Sequence, residues 1–130
     1  MPESRQNKDM LEEMFSLREK FMSRLRDVSS SQYPPWPIDI ADKACQQHVR
    51  DMALRGVEEM FEALQHLKNW KPHRNTEIKE FDREEFIEEI VDAFNYFFSV
   101  LVLMGVKPVE LHNAYKKKDK IIHKRLKSGY

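Results

Sequence analysis

The chain has 130 residues, of which 41% are hydrophobic, so we expect residues 1–130 to form a single domain with an apolar core. The 22 Lys and Arg residues balance the 22 Asp and Glu residues, and a net charge of zero disfavours a nucleic-acid-binding function. The N-terminus lacks the apolar core of a signal peptide, and the longest apolar run, residues 97–106, is too short to span a bilayer. We therefore expect a soluble, cytoplasmic protein with no membrane partner.

Cysteine and glycine are both scarce. The single cysteine, Cys45, cannot form an internal disulfide or supply a Cys-rich zinc site. The three glycines disfavour a fold rich in tight turns and do not form a phosphate-binding loop. A nucleotide phosphate would therefore need another means of binding.

Two helices are predicted in the first half of the chain. Between residues 10 and 25, apolar residues recur at spacings of three and four, which predicts an amphipathic helix over residues 8–27. Pro34 and Pro35 interrupt the next stretch, which we interpret as an ordered connector. The helical spacing then returns and predicts a long second helix over residues 38–68.

Two further helices are predicted in the second half. A polar loop containing Pro72 covers residues 69–82, and Asp82 or a neighbour is suited to cap a third helix over residues 83–104. This helix should end near Gly105, and Pro108 opens a fourth helix over residues 109–127. No strand-like alternation persists, so the predicted fold class is all-α, a bundle of four helices or slightly more.

The third predicted helix is apolar on almost every side in its second half. A chain of this size rarely surrounds one of its own helices completely, so we expect a partner subunit to bury it in a homodimer or a higher homo-oligomer. The remaining narrow sector is polar and carries Glu85, Glu88, Glu89, Asp92, Asn95 and Ser99. A carboxylate inside such a helix is costly to desolvate unless it is paired or bound to a cation.

Two pairs of acidic residues have a spacing of three. Glu59 and Glu62 share one face of the second helix, and Glu89 and Asp92 share one face of the third. If the two helices pack side by side, the four carboxylates converge into an oxygen site suited to Mg²⁺ or Mn²⁺. The alternative is that these acids are solvated on helix surfaces. His66, on the same side as Glu59, is interpreted as a surface residue.

Charge is unevenly distributed along the chain. Acidic residues dominate residues 77–92, whereas Lys and Arg dominate residues 107–130. This distribution is compatible with a metal site facing an anion site, and equally with two faces of a bundle that attract each other.

The acidic motifs resemble those of the all-α nucleoside triphosphate pyrophosphatases, the superfamily of MazG-like enzymes and dimeric dUTPases. That superfamily has ExxE on one helix and ExxD on a later one, which correspond here to Glu59-Met60-Phe61-Glu62 and Glu89-Ile90-Val91-Asp92. The dimeric dUTPase branch is the more similar over most of the chain. Its C-terminal pattern is matched in part by Lys118, Arg125, Gly129 and Tyr130.

The resemblance implies a MazG-like bundle completed by dimerisation and Mg²⁺-dependent hydrolysis of a nucleoside triphosphate to the monophosphate and pyrophosphate. It implies that the four acids of the two motifs are the metal-binding and catalytic residues. Lys118 and Arg125 would bind phosphate. Candidates for contact with the base or sugar are Asn95, Trp70 and Tyr130.

Several positions depart from the dUTPase pattern. Arg18 and Met22 replace a Gln and an Asn of the first helix, and Asp119 and Ile122 replace two Asn of the tail. Amide side chains of this kind recognise the edge of a pyrimidine base, so their absence leaves the base preference undecided. The resemblance favours dUTP or dCTP. The alternatives are a MazG-like activity on purine or non-standard nucleotides and a non-enzymatic helical interaction module.

Overall fold

The computed structural model describes residues 9–29 and 33–129, and these residues form four α-helices and no strand. The helices are α1 (Met10–Val28), α2 (Lys43–Leu64), α3 (Arg83–Leu103) and α4 (Pro108–Lys127). The all-α prediction is confirmed. The contacts between Cα atoms divide the described residues into two compact units. One contains residues up to Pro37 and those from Leu101 onward, and the other is Ile38–Val100.

Carboxylate side chains cap the N-termini of α1 and α3. Asp9 accepts a hydrogen bond from the Glu12 amide at the start of α1, and Asp82 accepts one from the Glu85 amide at the start of α3, at 3.0 Å. Each bond satisfies an amide that has no partner within its helix. Asp82 therefore caps the third helix as predicted.

The second helix is shorter at both ends than the predicted range of 38–68. The Asp42 side chain accepts a hydrogen bond from the Cys45 amide at 3.0 Å, so α2 begins at Lys43. At the other end, the His66 and Leu67 amides bond to carbonyls three residues earlier, which tightens the chain into a final turn after Leu64. Apolar spacing continues past both ends, but the backbone hydrogen bonds of an α-helix do not.

The end of α3 is a Schellman turn. The Val106 amide bonds to the Leu101 carbonyl at 2.9 Å, and the Gly105 amide bonds to the Val102 carbonyl at 3.0 Å. Gly105 has a φ of 73°, a conformation that favours glycine, and Pro108 then lies at the first position of α4. Both predicted boundaries agree with the structure to within a residue.

The first unit is built on α1 and α4, which contact each other. Phe15 and Met22 of α1 are buried in it, together with Tyr33, Val102 and Leu103. No residue of α4 is buried within the described part of the chain.

In the second unit, α2 and residues 83–100 of α3 run antiparallel. Residues later in α2 contact residues earlier in α3. Gly56 meets Phe97, Glu59 lies near Glu89 and Asp92, and His66, just after α2, meets Phe86 and Glu89. The buried residues of this unit are Met52, Gly56, Ala63, Ala93 and Ser99. This pairing positions the acidic residues of the two helices.

Both helices of the second unit also expose apolar residues, which we call the apolar stripes. On α2 they are Leu54, Val57, Phe61 and Leu64, and on α3 they are Ile87, Val91 and Phe94. Each of these side chains is 42–58% exposed. The expectation that the third helix is buried on most sides is therefore not met within a single chain.

Among the described residues, no single helix has both the length and the apolar character needed to cross a membrane. Only α3 and α4 taken together, as a bent pair, satisfy that criterion by length and composition.

Candidate metal centre

Three carboxylates of the second unit lie close together. One oxygen each of Glu59, Glu89 and Asp92 lies within 4.8 Å of the other two. Glu59 comes from α2, while Glu89 and Asp92 are one turn apart on α3, so the antiparallel pairing of the two helices brings them to one place. Three oxygen donors of this kind suit a hard divalent cation such as Mg²⁺ or Mn²⁺.

The cluster carries uncompensated negative charge. Loss of hydration raises the pKa of Glu59, and the negative charges of Asp92, Glu62, Glu89 and Glu58 raise it further, in that order. Among residues 9–29 and 33–129, no Lys or Arg forms an ion pair with any of the three clustered carboxylates. A bound cation would relieve this repulsion, so the residues present fit the metal that the family resemblance implies.

Two details differ from the predicted arrangement. Glu62 is exposed and does not join the group of three, although its charge acts on Glu59. On a helix, a residue three positions after Glu59 lies about 60° further round the axis, which takes Glu62 toward solvent. Asp92 is also exposed rather than enclosed by the apolar part of its helix, because its side of α3 is the acidic one.

His66, which the sequence suggests is a surface residue, is half-buried next to this cluster. One ring nitrogen of His66 and one oxygen each of Glu85 and Glu89 lie within 4.8 Å of one another. His66 lies seven residues after Glu59, in the turn that follows α2, and in a continuous helix a spacing of seven places two residues on one side. This spacing is the sequence signal that points to His66, whereas the acidic pair alone points to Glu62.

The predicted phosphate- and base-binding residues are dispersed. Lys118 and Arg125 are exposed on α4, in the first unit. Asn95 is half-buried on α3, and its carbonyl accepts a hydrogen bond from the Ser99 hydroxyl at 3.1 Å. Trp70 is 68% exposed in the loop after α2. Tyr130 lies outside the described residues.

A cavity of about 650 Å³ adjoins Trp70 within the second unit. Its apolar wall includes Phe61 and Leu64 of α2, and its polar lining includes Lys68, Lys71 and Arg74. The Lys71 ammonium lies 5.8 Å from the centre of the Trp70 ring. An aromatic wall with three cations is suited to a planar ligand that carries negative charge.

Taken together, the fold and the clustered side chains define an all-α protein with a carboxylate group suited to a divalent cation. Comparison with protein-family models, with curated proteins and with solved structures finds no match to this chain. The resemblance to the all-α pyrophosphatases therefore rests on the sequence motifs themselves.

Proposed function

We propose that this protein hydrolyses a nucleoside triphosphate to the monophosphate and pyrophosphate with the help of a divalent cation. The observation that supports the proposal most strongly is the convergence of Glu59, Glu89 and Asp92. These are three of the four acids that the family resemblance implies as metal ligands. Their mutual repulsion gives a physical reason for a cation to bind.

In the proposed reaction, the oxygen of a water molecule attacks the α-phosphorus and the bond from that phosphorus to the bridging oxygen breaks. Pyrophosphate leaves with that oxygen, and a carboxylate of the cluster accepts the proton of the water. When bound, the cation would neutralise phosphate charge and lower the pKa of a water. No side-chain nucleophile is needed.

The substrate proposed is a pyrimidine deoxynucleotide such as dUTP or dCTP, which the family resemblance favours. Trp70 remains a predicted base contact, but the cavity beside it lies against Phe61 and Leu64 of the α2 stripe, on the other side of that helix from Glu59. Lys118 and Arg125 remain predicted phosphate ligands, and Asn95 and Tyr130 remain predicted base or sugar contacts. Because Arg18 and Met22 replace the amide side chains of the dUTPase pattern, purine and non-standard nucleotides remain alternative substrates.

The proposal includes a homodimer. The apolar stripes of α2 and α3 are exposed in the single chain, and soluble monomers rarely expose continuous apolar surface of this kind. The same stripes support the competing hypothesis of a non-enzymatic interaction module. The two hypotheses differ because only the enzyme needs a cation and a nucleotide.

Calorimetric titration with Mg²⁺ and a pyrophosphate-release assay test the proposed function together. The wild type should bind Mg²⁺ and release pyrophosphate from at least one common deoxynucleotide. Asp92→Asn, which keeps the size of the side chain but removes its charge, should lose both. Glu88→Gln is the matched control, since Glu88 lies on α3 outside the cluster. Equal behaviour of wild type and Asp92→Asn would remove the metal centre from the account.

A further inference from the structure

The imidazole of His66 faces the carboxylates of Glu85 and Glu89. Glu85 and Glu89 are one turn apart on α3, and His66 approaches them from the turn that follows α2. Glu89 therefore belongs to two groups of donor atoms, one with Glu59 and Asp92 and one with His66 and Glu85.

The distance between His66 and Glu89 is informative. Nε2 of His66 lies 3.9 Å from Oε1 of Glu89. That separation is too long for a direct hydrogen bond, which ends near about 3.2 Å. Two ligands bound to one metal at about 2.1 Å lie roughly 3.0–4.2 Å apart, depending on the angle at the metal. The observed distance lies within that range.

Aromatic packing holds the imidazole in this position. The His66 ring meets the Phe86 ring edge to face with centroids 6.2 Å apart, and Phe86 in turn packs against Phe81 at 5.4 Å. The His66 side chain is 19% exposed and that of Glu89 is 24% exposed. These contacts restrict the rotation of the imidazole ring, which lowers the entropic cost of binding.

We propose that His66, Glu85 and Glu89 form a second cation site, which takes a transition-metal dication such as Mn²⁺. An imidazole nitrogen favours transition metals over Mg²⁺, so this site should differ in selectivity from the all-oxygen group. Glu89 has two oxygens and can bind one cation with each, as in hydrolases with two metals about 3.5–4 Å apart. The inference deepens the proposed function and rests on it for the role of the neighbouring carboxylate group.

Pulsed electron paramagnetic resonance of the full chain loaded with Mn²⁺ tests this site directly, because a bound imidazole produces a ¹⁴N modulation that carboxylates do not. The wild type should bind two Mn²⁺ ions and show the modulation. His66→Gln should lose the modulation and one of the two ions. His73→Gln is the matched control, since His73 is exposed in the loop after α2 and belongs to neither group.

A second variant addresses folding. Glu85→Gln keeps the histidine and should weaken Mn²⁺ binding at the nitrogen-containing site by about tenfold or more, with an unchanged thermal unfolding curve. A wild type without ¹⁴N modulation, or a modulation that persists in His66→Gln, would overturn the site. Nucleotide turnover is measured separately. Modulation without turnover would refute the proposed function and leave the second site in place.

Discussion

The ring of Phe97 occupies the space in which Gly56 would otherwise carry a side chain. An ideal Cβ placed on Gly56 would lie 2.5 Å from Cε1 of Phe97. Glycine therefore allows α2 and α3 to approach closely at this point. One turn further along α2, the same approach brings Glu59 to Glu89 and Asp92, so the packing contact sets the geometry of the carboxylate cluster.

Gly56→Ala should destabilise the protein even though alanine is the better helix former by about 1 kcal/mol. The added methyl group overpacks the contact with Phe97, which typically costs about 1–3 kcal/mol. Urea denaturation should show a lower midpoint. Gly56→Ala combined with Phe97→Leu should recover part of the loss, because leucine leaves room for the methyl group. A single variant more stable than wild type would contradict the close contact.

Glu59→Gln should stabilise the metal-free protein at neutral pH. Because the pKa of Glu59 is raised in the folded state, the folded chain holds this proton more tightly than the unfolded chain does. The free energy of unfolding is therefore lowered as the pH rises from the ordinary glutamate pKa of about 4.5 through the raised pKa, and glutamine avoids that loss.

Thermal unfolding measured across pH checks this prediction. The advantage of Glu59→Gln over wild type should be present at pH 7 and vanish below pH 4, where both side chains are uncharged. Mg²⁺ should raise the unfolding temperature of the wild type but not of the variant. Glu88→Gln serves as the control, and an equal gain from it would point to general charge repulsion instead.

Arg125→Ala should weaken turnover by roughly 1.5–3 kcal/mol in kcat/KM, the size of a lost charge-assisted hydrogen bond. Lys118 and Arg125 are seven residues apart on α4 and so share one face of that helix. Lys127→Ala, which changes another exposed cation of α4 outside the matched pattern, should have little effect. If both variants keep full turnover, the tail has no specific phosphate role.

Val91→Glu should dissociate the proposed dimer. Val91 is 49% exposed in the α3 stripe, and a carboxylate buried in an apolar interface has no compensating partner. Sedimentation velocity should show wild-type dimers and variant monomers, with Glu88→Lys as a control outside the stripe. A monomeric wild type at micromolar concentration would refute the dimer.

Local chemistry explains which parts of the fold could be predicted from the sequence. The cap at Asp82, the helix start at Pro108 and the helix end at Gly105 each depend on a few neighbouring residues, so the local sequence is sufficient to predict them. The apolar spacing does not predict the start of α2, because it continues before Asp42, whose carboxylate caps the helix.

The site was harder to predict because it depends on the register between two helices. Helical periodicity alone places Glu59 and Glu62 on one side of α2 and does not decide which residue meets the third helix. The contact between Gly56 and Phe97 sets that register, and it turns His66, rather than Glu62, toward Glu85 and Glu89. No local pattern carries this information.

Hydrolysis in ¹⁸O-labelled water is the most direct test of the central claim. Each common deoxynucleoside triphosphate is incubated with the protein and Mg²⁺, and the products are identified by mass spectrometry. We predict one ¹⁸O atom in the nucleoside monophosphate and unlabelled pyrophosphate, because the labelled water attacks the α-phosphorus. Orthophosphate as the only phosphate product, a label in pyrophosphate, or no turnover of any nucleotide would contradict it.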